Sequence, residues 1–250
     1  MSHQVLARKW RPKNFDTLVG QENTVQALVN ALDQERLHHA YLFTGTRGVG
    51  KTTLARILAK SLNCEKGISS KPCGKCSSCI SVDKGNFVDL IEVDAASNTK
   101  VDEMRELLEN SQYAPTSGRF KVYIIDEVHM LSASAFNAFL KTLEEPPKHA
   151  IFILATTEKH KIIPTILSRC QIFDFKRVSN EDIVKNLKYV ADNENVSVED
   201  DALFLIAEKS DGAMRDSLSL FDRLVSFSDD KLLYNNVIDH LNILDYDYYF

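Results

Sequence analysis

Tyr41-Leu42-Phe43-Thr44-Gly45-Thr46-Arg47-Gly48-Val49-Gly50-Lys51-Thr52 is the stretch of this chain that decides its fold. The apolar run at its start predicts a buried strand, and residues 54–62 after it are typical of a helix. Between the two lies the spacing G-x-x-x-x-G-K-T. A strand, this loop and a helix in that order predict a phosphate-binding loop.

The residue types of the loop suit a nucleoside triphosphate. Three of the nine glycines of the chain lie between Gly45 and Gly50, where the backbone must approach a ligand closely. Backbone N–H groups of such a loop, together with the start of the following helix, bind phosphate oxygens. We expect Lys51 to neutralise the β- and γ-phosphates and Thr52 to bind Mg²⁺. The alternative, a glycine loop in an ordinary turn, is disfavoured by the strand and helix around it.

Composition indicates an ordinary globular protein. The chain has 250 residues, of which 44% are hydrophobic and 26% are charged, so one or two domains are expected. No apolar run is long enough to span a bilayer, and the first residues lack the apolar core of a secretory signal, so we expect a cytoplasmic protein without a membrane partner. The net charge is −5, which argues against a uniformly basic surface for nucleic acid.

Strand and helix patterns predict an α/β fold followed by helices. Strands that alternate with helical segments predict a parallel sheet covered on both faces. After residue 175 the pattern changes to successive amphipathic helices without a convincing strand, which predicts a separate helical domain from about Val178. The predicted strands are Ala40–Thr44, Asp89–Val93, Lys121–Ile125, Ile151–Ala155 and Gln171–Phe175; the predicted helices are Ala133–Glu145, Asn180–Asn193, Asp200–Ser210 and Gly212–Phe227.

Two strand ends carry polar side chains that suit ATP hydrolysis. The strand before Asp126 and Glu127 is hydrophobic, and a phosphate-loop ATPase needs two such carboxylates. We expect Asp126 to hold Mg²⁺ and Glu127 to polarise the attacking water. Thr156 and Thr157 end another apolar strand, where a hydroxyl can contact the γ-phosphate or the water. The alternative for Thr156 is that it caps the following turn.

Four cysteines form a metal-binding pattern after the loop helix. Cys64, Cys73, Cys76 and Cys79 have the spacing C-x₈-C-x₂-C-x₂-C, which suits four thiolates around a structural Zn²⁺. An iron–sulfur cluster is the rival, although a ferredoxin-type run would place a cysteine where Asp83 stands. Unliganded thiols are the third possibility, and disulfides are disfavoured in a cytoplasmic ATPase.

Several segments together resemble the AAA+ ATPases. They are Val19-Gly20-Gln21, the phosphate loop, Asp126-Glu127, Thr156-Thr157, Ser168-Arg169-Cys170 and Gly212-Ala213-Met214-Arg215-Asp216. A narrower resemblance, to the tau/gamma-type subunits of bacterial DNA polymerase III clamp loaders, covers nearly the whole chain. It rests on the four-cysteine insert, on Leu6-Ala7-Arg8-Lys9-Trp10-Arg11-Pro12 and on Leu143-Glu144-Glu145-Pro146-Pro147.

The resemblance implies a domain arrangement. Residues 1–178 would form an AAA+ nucleotide-binding domain with a central parallel sheet and an inserted zinc module at about residues 64–79. Residues 179–243 would form a small, all-helical lid domain. Residues 244–250 would begin a truncated C-terminal segment, so the chain would be a fragment that is mostly monomeric and hydrolyses ATP slowly.

The resemblance also implies the roles of single residues. Glu127 matches the general base and Thr157 the first sensor. Arg215 matches the second sensor, and Arg169 matches the arginine finger that acts on ATP bound by a neighbouring subunit. The implied nucleotide-binding residues are Arg11, Pro12 and Val19 at the adenine, Gly45, Thr46, Arg47, Gly48, Val49, Gly50, Lys51 and Thr52 at the phosphates, Asp126 at Mg²⁺, and Arg215.

The implied function is that of an ATPase in a DNA polymerase holoenzyme, distinct from the polymerising subunit. With ATP, Mg²⁺ and Zn²⁺ it would open a sliding clamp and load it onto primed DNA. The implied partners are the other subunits of a hetero-pentamer, the clamp, the DNA, and a polymerase subunit bound through missing C-terminal regions. Lys100 and Arg105 are candidate contacts to DNA phosphates.

Three other functions stay open at this point. Another AAA+ ATPase that remodels DNA is disfavoured by the cysteine insert and the Ser-Arg-Cys segment. A non-hydrolysing clamp-loader scaffold is disfavoured by the intact Lys51, Thr52 and Glu127. A zinc-dependent nucleic-acid-binding module would lose DNA binding on chelation, whereas the ATPase hypothesis expects chelation to damage folding first.

Overall fold

The computed structural model describes residues 4–97, 101–227, 231–235, 237–238 and 240. Within that part the chain forms two compact units. The sheet unit consists of Pro12–Gly45 and Lys51–Phe175, and the helical unit takes the described residues of Met1–Arg11, Thr46–Gly50 and Lys176–Phe250. The sequence-based domain boundary near residue 178 stays a prediction. Lys100 and the segment 244–250 lie outside the described residues.

Five parallel strands form the sheet of the first unit, which confirms the predicted α/β fold with a parallel sheet. Their order is β2-β3-β4-β1-β5, and each predicted strand is present with its ends shifted by no more than one residue. The strands are β1 (Ala40–Thr44), β2 (Leu90–Asp94), β3 (Lys121–Asp126), β4 (Ala150–Thr156) and β5 (Gln171–Asp174).

Burial explains why these segments become strands. Every residue of β1 and β4 is buried, as expected for central strands of a sheet covered on both faces. The register pairs Thr44 with Thr156 and with Asp174, so the last residues of β1, β4 and β5 stand side by side. Because the strands are parallel, their carboxyl ends meet at one edge, where ligands bind in such folds.

The helices lie largely where periodicity predicts them. Eleven of the 13 residues of α3 are buried, because this helix follows the phosphate loop directly into the core. The helices are α1 (Leu6–Lys9), α2 (Glu22–Asp33), α3 (Lys51–Asn63), α4 (Ser77–Lys84), α5 (Val101–Ser111), α6 (Ala133–Glu144), α7 (Pro164–Leu167), α8 (Asn180–Glu194), α9 (Asp200–Lys209) and α10 (Met214–Phe227). None of the described helices is long and apolar enough to cross a membrane.

The prediction of a purely helical domain after residue 178 is wrong, because the helical unit also contains two short strands. β6 (Ser197–Val198) and β7 (Lys231–Leu232) pair in parallel. Two-residue strands are too short to show alternating hydrophobicity, so the sequence pattern cannot reveal them. The predicted start of α10 at Gly212 also moves to Met214. Asp211 and Gly212 both have positive φ, 48° and 77°, which is outside the helical region.

The N-terminal segment packs on the helices of the same unit. Leu6 N–H donates a hydrogen bond to an Asp222 carboxylate oxygen at 3.3 Å. Trp10 Nε1 donates to Glu194 at 2.7 Å, and the indole ring meets Tyr189 edge-on. These contacts fix α1 against α8 and α10.

Asp89 anchors the loop that leads into β3. Its side chain is fully buried, and its two oxygens accept backbone hydrogen bonds from Thr116, Ser117 and Gly118 at 2.6–2.7 Å. Burial acts to raise the pKa of this carboxyl, but the hydrogen bonds outweigh burial and hold the pKa below its usual value of 3.8. The charged form is therefore the form that stabilises the fold.

We expect Asp89→Asn to lower the free energy of unfolding by about 2 kcal/mol at pH 7, because an amide cannot accept all of these N–H bonds. The folded-state pKa is depressed, so the stabilisation is present above pH 3.8 and is lost as the pH falls through the folded-state pKa. Urea unfolding at pH 7 and near pH 3 measures this. The difference in the free energy of unfolding between parent and variant should shrink in acid.

Asp16→Asn, at an exposed carboxylate, is the control and should change the free energy of unfolding little. An equal loss of stability in both variants would contradict the role of Asp89.

Candidate functional site

The phosphate loop has a backbone that glycine alone adopts readily. Gly45, Gly48 and Gly50 have φ of 141°, 79° and 104°. A Cβ on Gly45 would lie 2.6 Å from the carbonyl oxygen of Phe175, closer than packed atoms allow. The loop therefore keeps both its conformation and its close packing by having no side chain at this position.

Lys51 lies in the first turn of α3 with its cation folded back on the loop. Nζ donates to the Gly45 carbonyl oxygen at 2.7 Å, and the residue is 6% exposed. Burial lowers the pKa of Lys51, and the nearby carboxylates of Glu127 and Asp126 act in the opposite direction. An ammonium group held this way is placed to bind a phosphate oxygen that enters the loop.

Thr52 and Asp126 meet at the carboxyl edge of the sheet. Thr52 Oγ1 donates to Asp126 Oδ2 at 2.8 Å, while the backbone N–H of Glu127 donates to Oδ1 at 3.0 Å. A hydroxyl and a carboxylate are hard oxygen ligands of the kind that Mg²⁺ binds beside phosphates. The donor set fits a Mg²⁺–nucleotide site, and the sequence predicted both residues for it.

Glu127 adopts an unusual backbone conformation directly after β3. Its φ of 47° and ψ of 44° are left-handed, which costs a residue with a side chain on the order of 1 kcal/mol. Its carboxylate oxygen Oε2 accepts a hydrogen bond from Thr157 Oγ1 at 2.9 Å and one from Thr157 N–H at 3.3 Å. The structure therefore brings together the predicted base and the predicted first sensor.

Thr156 serves the turn after β4. Its hydroxyl oxygen accepts the backbone N–H of Glu158 at 3.0 Å, which confirms that it caps the turn. The same hydroxyl lies 2.9 Å from Nδ1 of His129, a residue that sequence reasoning missed. The one sequence signal for a role of His129 in the site is its position three residues after Asp126. A short 3₁₀ turn at Val128–Met130 then directs its ring back toward β4.

Arg169 follows α7 and is held by its own chain. Nη2 donates to Glu144 Oε1 and Nη1 to the Thr165 carbonyl oxygen, both at 2.8 Å. About a third of the side chain remains exposed. Glu144 belongs to the Leu-Glu-Glu-Pro-Pro segment, so the structure joins two segments that the sequence singled out separately.

Arg215 lies in the helical unit next to a residue of the phosphate loop. Its backbone N–H donates to the Gly48 carbonyl oxygen at 3.2 Å. A Cβ on Gly48 would lie 2.9 Å from Ala213 Cβ. The segment predicted as the second sensor thus packs directly on the loop.

The other predicted nucleotide-binding residues differ in how far they are exposed. In the loop, Thr46 and Arg47 are exposed and Val49 is buried. Pro12 and Val19 are partly buried on either side of a short 3₁₀ helix at Phe15–Thr17, and Arg11 is partly buried in the other unit. An adenine pocket at these residues stays a prediction.

The four predicted cysteines converge. The Sγ atoms of Cys64, Cys73, Cys76 and Cys79 all lie within 4.8 Å of one another. The backbone N–H groups of residues 73, 76 and 79 each point to the sulfur of a preceding cysteine at 3.3–3.4 Å. Backbone hydrogen bonds from Lys75 and Cys76 lower the pKa of Cys73 to about 6, whereas burial raises the pKa of Cys79. The set fits a single tetrahedral ion held by sulfur.

Two contacts tie this cluster to the core. Arg119 Nη1 donates to the Cys64 carbonyl oxygen at 2.6 Å. Lys60 of α3, which is almost fully buried, pairs with Asp83 of α4 at 2.7 Å. Asp83, where a ferredoxin-type run would have a cysteine, therefore has a structural partner.

Comparison with known proteins gives matches along most of the chain. A family model described as "DNA polymerase III, delta subunit" matches residues 20–179, and one described as "DNA polymerase III clamp loader subunit, ATPase lid domain" matches residues 182–230. The DNA polymerase III subunit tau/gamma of Haemophilus influenzae is 54% identical over 248 residues, 99% of this chain and 36% of the relative. The DNA polymerase III subunit gamma of Buchnera aphidicola from Acyrthosiphon pisum is 49% identical over 250 residues, 100% of this chain and 69% of the relative.

Two further comparisons concern length and fold. The DNA polymerase III subunit tau of Escherichia coli is 55% identical over 247 residues. The aligned region covers 99% of this chain but only 38% of that relative. Among solved structures, the Thermotoga maritima RuvB Holliday junction branch migration motor is similar with a TM-score of 0.69 and 24% identity, over 94% of this chain and 73% of that one. That likeness concerns the fold alone, a central parallel sheet followed along the chain by helices.

Gly48→Ala tests the packing of the loop against the Arg215 segment. We expect it to weaken binding of a fluorescent ATP analogue by about 10-fold or more, since both the positive φ and the contact with Ala213 oppose a methyl group. Gly85→Ala is the matched control, because Gly85 has a similar φ of 74° and nothing within 4 Å of its added Cβ. The control should lose about 1 kcal/mol of stability and no affinity. Equal affinities in the two variants would show that the contact with Ala213 is unimportant.

Proposed function

Because this chain belongs to the family of DNA polymerase III tau/gamma subunits, we propose that it is an ATP-driven motor subunit of a clamp loader. It would bind and hydrolyse ATP so that a sliding clamp is opened and placed on primed DNA. The observation that carries the proposal is the grouping of Lys51, Thr52, Asp126, Glu127 and Thr157 around the carboxyl ends of β1, β3 and β4.

Binding of the nucleotide would use the first three of these residues. The loop backbone would surround the phosphates, and Lys51 would exchange the Gly45 carbonyl for a phosphate oxygen. Thr52 and Asp126 would hold Mg²⁺, which shields phosphate charge when bound. Neither residue needs a new backbone conformation, because both already face the same edge.

Hydrolysis would depend on Glu127 as the base that orients and deprotonates the attacking water. Its link to Thr157 fixes the carboxylate relative to the end of β4, where a γ-phosphate contact is expected. A strained backbone at this position supports a role in function, because such conformations persist where the surroundings impose them.

Two arginines would connect hydrolysis to assembly and to the lid. Arg169, held at Glu144 with part of its guanidinium exposed, would act on ATP bound by a neighbouring subunit. Arg215 would contact the γ-phosphate of the nucleotide in its own chain, which its hydrogen bond to Gly48 supports. Full activity would therefore require the assembled complex.

The proposed partners are the other clamp-loader subunits, the sliding clamp, primed DNA and a polymerase subunit. Of the two candidate contacts to DNA phosphates, Arg105 lies among the described residues, on the exposed face of α5.

We also propose that the four cysteines hold a structural Zn²⁺. The proposed sites for nucleotide, Mg²⁺ and Zn²⁺ consist of the residues assigned to them above.

Lys51→Ala and Glu127→Gln separate binding from hydrolysis. We expect Lys51→Ala to weaken ATP binding by 10-fold or more, through loss of a buried charge at the phosphates. Glu127→Gln should bind ATP normally but lower kcat by about 100-fold or more. Calorimetric binding and phosphate release from the assembled complex measure the two effects. Lys66→Ala, at an exposed lysine, is the control. A Lys51→Ala chain that binds and hydrolyses ATP like the parent would refute the proposal.

Metal analysis tests the cysteine cluster. We expect about one zinc per chain, and Cys79→Ser should lose it along with several degrees of melting temperature, since metal binding stabilises the folded loops. Cys170→Ser, outside the cluster, should keep the metal. Iron with visible absorption, or a parent chain without bound metal, would overturn the zinc assignment.

A further inference from the structure

His129 is a buried polar side chain that the proposed mechanism does not yet use. It lies in the 3₁₀ turn after β3, and its side chain is only 6% exposed. An imidazole with so little exposure satisfies its two nitrogens largely within the protein. Its partners therefore define its role.

Both ring nitrogens face polar groups of the proposed catalytic edge. Nδ1 is 2.9 Å from Thr156 Oγ1 and 3.4 Å from Glu127 Oε2, while Nε2 is 3.2 Å from Glu158 Oε1. Oε2 of Glu127 is the same oxygen that accepts the hydrogen bond from Thr157. The ring thus lies between the end of β3 and the turn that follows β4.

The two ring nitrogens of His129 have different hydrogen-bond partners. A hydrogen bond from Lys161 holds the pKa of Glu158 below its usual range, so this carboxylate is charged and can only accept. Nε2 of His129 therefore carries a hydrogen that faces the Glu158 carboxylate, and Nδ1 makes the 2.9 Å hydrogen bond with the Thr156 hydroxyl. The Thr156 oxygen in turn accepts the Glu158 N–H, so each polar atom of this network has a defined partner.

We propose that His129 is a positioning residue for ATP hydrolysis: through Thr156 it fixes the 156–158 turn, and with it the Thr157 groups that hold the Glu127 carboxylate. This inference rests on the proposed ATPase function. Nδ1 is the nitrogen that contacts Thr156 and lies near Glu127, whereas Nε2 faces Glu158, whose side chain is 36% exposed. A base displaced by about 1 Å loses on the order of 100-fold in rate, so a positioning residue acts on kcat.

Two substitutions separate the two sides of the ring. Asparagine places its amide near the position of Nδ1, and glutamine places its amide near that of Nε2. His129→Asn keeps a partner for Thr156 and should retain kcat to within about 5-fold. His129→Gln keeps only the Glu158 side and should lower kcat by about 10- to 100-fold with little change in KM.

A third variant guards against misfolding at a buried site. Thr156→Val removes the hydroxyl at nearly constant side-chain volume and should lower kcat as much as His129→Gln does. The variant that carries both substitutions should have a kcat no lower than that of either single variant. His160→Ala is the control, because His160 also faces Glu158, at 3.6 Å, but is 76% exposed and makes no described contact with Thr156 or Glu127. It should behave like the parent.

The experiment measures ATP hydrolysis by the assembled complex over a range of ATP concentrations, with ATP affinity and melting temperature of each variant in parallel. The inference fails if His129→Gln and Thr156→Val keep the parent kcat, if His129→Asn is as damaged as His129→Gln, or if the loss lies wholly in ATP affinity. Hydrolysis that persists in Lys51→Ala would instead refute the proposed function, and this inference with it. The supporting result is a kcat loss specific to the Nδ1 side at unchanged ATP affinity.

Discussion

The hydrogen bond from Thr52 Oγ1 to Asp126 Oδ2 joins the first turn of α3 to the end of β3. Its length of 2.8 Å is typical of a hydrogen bond from a hydroxyl to a carboxyl oxygen. The two residues are 74 positions apart in sequence. They meet because β3, β4 and β1 are neighbours in a parallel sheet and end at one edge. The positions of Lys51, Glu127 and Thr157 follow from that arrangement.

Much of the sheet unit could be predicted because its signals are local and strong. Fully buried parallel strands are continuous apolar runs, and the loop between β1 and α3 has a specific spacing of glycines and a lysine. The pairing of β6 with β7 could not be predicted, since two residues carry no period. The start of α10 was placed too early because Asp211 and Gly212, a residue pair typical of turns, both adopt left-handed backbone conformations.

The site shows the same division. Lys51, Thr52, Asp126 and the four cysteines follow from spacing, because their chemistry demands fixed residue types at short separations. The partners that hold the catalytic groups are different. His129 joins the ends of two strands, and Glu144 holds Arg169 from the end of another helix. Such contacts depend on how elements pack, and histidine or glutamate in these positions has many other uses.

We propose that the edge formed by β1, β3 and β4 binds a divalent cation together with ATP. Electron paramagnetic resonance of Mn²⁺, titrated with ATP and the chain, tests it directly because Mn²⁺ binds the same oxygen ligands as Mg²⁺. Asp94 lies opposite Asp126 in the register of β2 and β3, so Asp94→Asn is the matched control. We expect ATP-dependent binding of Mn²⁺ by the parent and by Asp94→Asn, with the Mn²⁺ affinity lowered about 10-fold or more in Asp126→Asn. Equal Mn²⁺ binding by Asp126→Asn and the parent would contradict it.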